Sequence, residues 1–250
     1  MESLYELERY CSGFLNASAF NDYCPNGLQV DAGVTQVCSL VSGVTASQAL
    51  IDAAVEADAD LLLVHHGYFW KGEPPALIGV KGCRVRTLMS HGISLLAYHL
   101  PLDAHPILGN NRLLGDLLGF LDVAPIEEGA LIWQATLELD LTPDGLGLLL
   151  ASKLGRKPLQ IEAGDRKIRK VGWCTGAAQG AIEQAAAIGL DAFITGEVSE
   201  FTVHLARELG IHFFAAGHHA TERSGASALG HHLSEKFNIK HQFIDVPNPV

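Results

Sequence analysis

Two stretches of this chain run through the same order of short apolar segments and helical-period segments, and that repetition constrains the fold more than any other feature. In the first, QVCSLVSGV, ASQALIDAAVEA, DLLLVHHG, KGCRVRTLMSHG and ISLLAYHL read as β-α-β-α-β. In the second, KVGWCTGAA, GAIEQAAAIG, DAFITGE, FTVHLARELG and IHFFAAGHH repeat the order. Asp60 before LLLVHH matches Asp191 before AFITGE at an offset of 131 residues, and Gly92 matches Gly210 at an offset of 118. The first copy is therefore 13 residues longer between these points, most of it in KGEPPALIGVKG. The expected fold class is α/β, with two related halves and an internal repeat. Ligands of such folds collect outside the carboxyl ends of the strands, so the expectation is a site between the halves.

Between the copies, GALIWQATLELD reads as a strand, TPDGLGLLLASKLG as a helix with a Thr cap and Pro in its first turn, and KPLQIEA as another strand. These are assigned to the start of the second half. The Pro and acidic residues of VAPIEEG place the cut near residue 125, giving halves 1–125 and 126–250.

Several function classes drop out on composition. The chain has 250 residues, 48% of them hydrophobic, and no apolar run near the ~20 needed to cross a bilayer. The segment MESLYELERYCSGFLN carries acidic residues where a secretory signal needs basic ones, and its apolar residues recur on one helix face. Five cysteines, odd in number and without a C-x-x-C pair, indicate neither a disulfide framework nor a thiolate metal site, and a reducing cytoplasm fits them. A net charge of -11 argues against attraction to nucleic acid or to an anionic membrane. Neither a Gly-rich phosphate loop nor a G-x-S-x-G elbow occurs.

The chemistry lies in the histidines. There are 12, six of them in the adjacent pairs His65-His66, His218-His219 and His231-His232. DLLLVHHG ends a buried strand in two imidazoles, with Gly67 read as permitting a sharp turn. The next strand of the same copy delivers His99 and, just past it, Asp103. In the second copy FFAAGHHATER supplies His218 and Glu222, four apart and on one face if a helix begins there. His65, His66, Asp103, His218 and Glu222 are more ligands than one three-ligand site uses, which points to two divalent ions, of zinc, iron or manganese. The pair His231-His232, inside an amphipathic stretch, is read as structural or surface-exposed.

Together, CPNGLQV, LLLVHHGYFW, AYHLPLDAH and AGHHATER resemble the YbgI-type (Nif-three-like) dinuclear-metal family, labelled type 2 homologues of GTP cyclohydrolase. The resemblance spans essentially the whole chain, in the short form without a large central insertion. It implies a two-domain α/β protein assembled as a toroidal homohexamer, with metal pairs lining the inner cavity. Carried over by motif, the ligands fall on the same five residues. One loop departs: many relatives carry an acidic residue close to the glycine of G-L-Q-V, where this chain reads Tyr23, Cys24, Pro25, Asn26, Gly27. Asn26 is read as a turn residue or as a contact to ligand or substrate.

The leading reading is a metal-dependent hydrolase, with His99 or Glu197 moving the proton. The family label makes the substrate a purine nucleotide, although no residue specifies guanine. His99 has a second reading as a strand-end histidine bonded to backbone, and Glu197 as a solvated loop carboxylate. Tyr68, His219, Thr221 and Arg223 flank the ligands as candidates for phosphate or substrate. Against the enzyme stand a metal-delivery protein with exchangeable ions, and a ring-shaped adaptor in which the metals are structural.

Overall fold

A computed structural model describes residues 2–250. The chain divides into two compact units. The first takes the chain through Leu102 and regains Gly225–Val246, and the second holds Asp103–Ser224 with Pro247–Val250. The cut near residue 125 therefore falls inside the second unit. No composition change marks Leu102, and the chain returns to the first unit to add the strand Lys240–Phe243.

In the first unit, β1 (Glu2–Ser3) leads into α1 (Leu4–Phe14). Leu4, Leu7 and Cys11 form the buried stripe of α1, as their spacing predicts. The main sheet is built from β2 (Gly27–Val30), β4 (Ser39–Thr45), β5 (Leu61–His66) and β6 (Ser94–Ala97), while β3 (Gln36–Val37) pairs with β1. Lys240–Phe243, β4, β5 and β6 are parallel in that order, and β2 closes the edge antiparallel to β6. Helices α2 (Gln48–Glu56) and α3 (Gly79–Ser90) make the crossovers, and the Ser47 side chain accepts the Leu50 N–H at the start of α2. Leu62, Val64, Leu95 and Ala97 join one apolar cluster with Leu50, Ile51 and Leu88. Their strand neighbours Leu61, Leu63 and Leu96 are also buried, as a parallel sheet covered on both faces requires.

The second unit begins within α4 (Leu100–Ala104), followed by α5 (Asn110–Leu118), β7 (Ala124–Pro125), β8 (Trp133–Leu141), α6 (Pro143–Leu154), β9 (Leu159–Ile161), β10 (Ile168–Trp173), α7 (Ile182–Ala187), β11 (Ala192–Thr195), α8 (Glu200–Leu209), β12 (His212–Ala215) and α9 (His218–Phe237). Its sheet has the order β7-β8-β10-β11-β12-β9. Strands β10, β11 and β12 are parallel, with β8 and β9 antiparallel at their flanks. Ile194 and Phe214 enter one core cluster, and Phe193 and Phe213 the other, because successive strand side chains alternate. The Thr142 cap of α6, followed by Pro143, is present, its hydroxyl accepting the Gly145 N–H.

Each of the two larger sheets thus contains a run of three parallel strands joined by helices, β4-β5-β6 and β10-β11-β12, with an antiparallel strand beyond the third; the first sheet adds Lys240–Phe243 as a fourth parallel strand. The paired aspartates do the same local work. Asp60 Oδ2 accepts the N–H groups of Cys38 and Ser39 at 2.7 and 2.9 Å, and Asp191 Oδ2 those of Arg169 and Lys170 at 2.9 and 2.7 Å. Each satisfies donors where the preceding parallel strand begins. Among the described residues no helix is long and apolar enough to cross a membrane.

Candidate metal centre

In the first unit His65 and His66 end β5, and His99 follows β6. One ligand atom from each of the three imidazoles lies within 4.8 Å of the other two. His65 is fully buried, and its Nδ1 stands 2.9 Å from the Tyr98 carbonyl oxygen. A neutral ring donating there carries its lone pair on Nε2, the form a metal ligand needs. His66 Nδ1 lies 3.2 Å from Thr45 Oγ1. Gly67 does not supply a left-handed turn, a role that falls to Phe69 at φ 64°. A Cβ at Gly67 would instead meet Gln29 Oε1 and Ala97 Cβ, so its job is close approach.

His99 is held by residues from the loop before β2. Its Nδ1 lies 2.7 Å from Asp22 Oδ1, and its N–H donates to Asn26 Oδ1 at 2.8 Å. Asn26 Nδ2 and the Leu100 N–H both donate to Asp22 Oδ2, at 2.9 Å each. Burial pushes the Asp22 carboxyl up, but the hydrogen bonds from His99 and Asn26 and the nearby His99 charge outweigh it and hold it at about 2. Asn26 therefore positions His99 rather than filling a turn. The acidic residue of this loop is Asp22, one place before Tyr23. Nearby Cys24 is buried with its thiol pushed up to about 12, by desolvation and then by Asp22, which leaves it protonated and a poor ligand.

In the second unit α9 begins at His218, so His218 and Glu222 do share one helical face, with Nε2 and Oε2 3.1 Å apart. His218 Nδ1 lies 2.7 Å from Glu197 Oε1. Desolvation lowers the His218 pKa, yet hydrogen bonds and charge from Glu222 and Glu197 overcome it and raise it to about 9. Glu222 is 2% exposed and Asp103 5%. Asp103 Oδ1 accepts from Asn110 Nδ2 at 2.9 Å and Thr175 Oγ1 at 3.1 Å. Although Asp103 follows the first copy in sequence, these bonds tie it to the second unit. A carboxylate oxygen of Asp103 lies within 4.8 Å of one of Glu222. Both raise the pKa of buried Cys174, after desolvation, which is the larger cause. Gly176, at φ 71°, leaves the space: a Cβ there would meet Glu222 Oε1, and would stand 3.2 Å from His218 Nε2.

Three of the flanking candidates donate to backbone carbonyls. Tyr68 Oη donates to the Ala46 carbonyl, Thr221 Oγ1 to Gly217 O, and Arg223 Nη2 to Leu154 O. His232 is half-buried against Tyr10, with Nε2 2.6 Å from its hydroxyl, and exposed His231 pairs with Glu235, matching the structural reading of that pair.

Comparison with known proteins identifies the family and the fold. A model of the Duf34/NIF3 (NGG1p interacting factor 3) family matches residues 3–249. A Pseudomonas aeruginosa protein called GTP cyclohydrolase 1 type 2 homolog is 56% identical over 98% of this chain and 96% of its own. Its Escherichia coli K12 namesake is 51% identical over 98% of each. Among solved structures, protein ybgI, of unknown function, superimposes with a TM-score of 0.95 at 50% identity over all of both chains. TTHA1606 from Thermus thermophilus does so with 0.90 at 33% identity, again over the full length of both.

Proposed function

The chain belongs to the Duf34/NIF3 family, and from there we propose that it is a metal-dependent hydrolase holding two divalent ions, of zinc, iron or manganese, on His65, His66, Asp103, His218 and Glu222. The observation that carries the reading is the approach of Asp103 and Glu222, two buried carboxylates with oxygens within 4.8 Å. Like charges so placed in a dry interior repel, and an ion shared by both carboxylates relieves that repulsion. The donor set suits such ions, since the His65 tautomer presents Nε2 and the carboxylates are hard oxygen ligands.

When bound, the ions supply Lewis acidity and a hydrolytic nucleophile at neutral pH. The remaining work belongs to side chains. Glu197 accepts from His218 Nδ1 and so directs Nε2 as ligand. His99, oriented through Nδ1 by Asp22, is the group that accepts or returns a proton at Nε2. Substrate is a small molecule, with a purine nucleotide suggested by the name of the relatives, and the working form a cytoplasmic homohexamer.

Protein purified without added metal, then loaded, should hold about two ions per chain by elemental analysis; a value that stays near zero sinks the reading. Hydrolysis of nucleotides, esters or amides by the loaded protein tests the reaction. Complete inactivity, with ready release of ions to an apo-acceptor, would move the assignment to metal delivery. Sedimentation velocity reads the hexamer.

A further inference from the structure

A cavity of about 550 Å³ opens in the second unit beside Glu197 and Gly196, with Arg156, Lys157, Leu159 and Val250 among its walls. Arg156 and Lys157 follow the Gly155 cap of α6 and precede β9. In a chain of net charge -11, two adjacent cations converge here without an acidic partner among the described residues. Arg156 is positioned by shape instead. Its guanidinium lies against Gly217, where a Cβ would strike it, and Gly217 takes φ 103°, which glycine tolerates. Nη1 is buried there with no hydrogen-bond partner among the described residues. That packing fixes the side chain where it lines the cavity.

The carboxylate in the lining, Glu197, is engaged by His218 at 2.7 Å. Glu197 and the terminal carboxylate of Val250, which also lines the cavity, offset part of the positive charge, but neither is paired with Arg156 or Lys157. The tail forms the far wall, held by the His219 N–H donating to Val250 O and the Val250 N–H to Asn248 Oδ1, each at 3.0 Å. A pocket with a fixed guanidinium, an exposed ammonium and an apolar floor matches a compact dianion attached to a small organic body.

We propose that this cavity is an anion subsite, taking the phosphate of a phosphorylated small molecule. Arg156 meets the phosphate with guanidinium donors other than the buried Nη1, and Lys157 adds a point charge at the rim. Only the role of the subsite in placing the rest of the molecule toward His218 rests on the metal-centre reading; phosphate binding itself does not.

The test titrates inorganic phosphate, adenosine 5'-monophosphate and adenosine into metal-free and metal-loaded protein by calorimetry. Metal-free wild type should bind phosphate and the nucleotide, and not adenosine. Arg156→Gln should weaken both by about tenfold or more and Lys157→Gln by about threefold, with metal content unchanged. Absence of saturable phosphate binding to the metal-free wild type, or unaltered affinity in both variants, overturns the subsite. If Arg156→Gln does not fold by circular dichroism, Lys157→Glu at the exposed neighbour decides, since charge reversal should abolish binding. Wild type that binds phosphate but never retains ions keeps the subsite and loses the metal reading. Wild type that retains two ions yet binds no phosphate when stripped does the reverse.

Discussion

Glu197 Oε1 lies 2.7 Å from His218 Nδ1, on the opposite side of the ring from Nε2, which approaches Glu222 Oε2 at 3.1 Å. One imidazole is thus held between two carboxylates on separate elements. With an ion at Nε2, Glu197 becomes the outer partner that fixes the tautomer. Glu197→Gln should lower metal affinity roughly 10–100-fold, measured by chelator competition. A pure proton carrier would instead lose turnover at unchanged affinity.

Gly176→Ala should be destabilising and should deplete metal together. The new methyl group would meet Glu222 Oε1, and the residue would hold φ 71° with a side chain. The combined cost is on the order of 1–3 kcal/mol, read by urea denaturation, and metal content should fall below that of wild type at equal ion concentration.

Asp60→Ala and Asp191→Ala form a control pair away from the ligands. Each leaves two strand-start N–H groups without their carboxylate, which should cost about 1–3 kcal/mol apiece. Metal stoichiometry should stay at the wild-type value in whatever folds.

His241, in the strand Lys240–Phe243, sets a pH response. Its Nε2 lies 2.8 Å from Ser42 Oγ, and burial, followed by the charge of His231, pushes its pKa down to about 4. In the unfolded chain the group titrates near 6.5. Below that pH the unfolded state takes up a proton that the folded state refuses, so stability present above about 6.5 is lost as pH falls toward 4. The loss is on the order of 2 kcal/mol after allowance for partial exposure. Urea midpoints at pH 7 and pH 5 should therefore diverge less for His241→Gln than for wild type.

Removing the ions should lower the melting temperature, because Asp103 and Glu222 are 5% and 2% exposed and would lose their cation. Addition of zinc or manganese should restore it. A melting temperature indifferent to both treatments would show that nothing of consequence binds there.

Much of this was legible beforehand because it is local. The β-α-β-α-β order, the cap at Thr142, the buried stripe of α1 and the i,i+4 placement of His218 and Glu222 follow from backbone period and near-neighbour chemistry. Asp22 was not legible. Its partner His99 is 77 residues away, and nothing in a single aspartate before Tyr-Cys-Pro-Asn announces an orienting role. Glu197 reads from the sequence as a proton carrier or a solvated loop carboxylate, and its bond to His218 is not foreseeable there.

The fold class, the family resemblance and the five candidate ligands could all be read from linear order, since periodicity and contiguous motifs are carried by neighbouring residues. Which residues belong together was settled by folding in three dimensions. It tied Asp103 to Thr175 and Asn110, returned Lys240–Phe243 to the edge of the first sheet, and brought Arg156 against Gly217. Those pairings depend on packing between distant segments, where burial sets the strength of charge and hydrogen bond, and linear order holds no record of that.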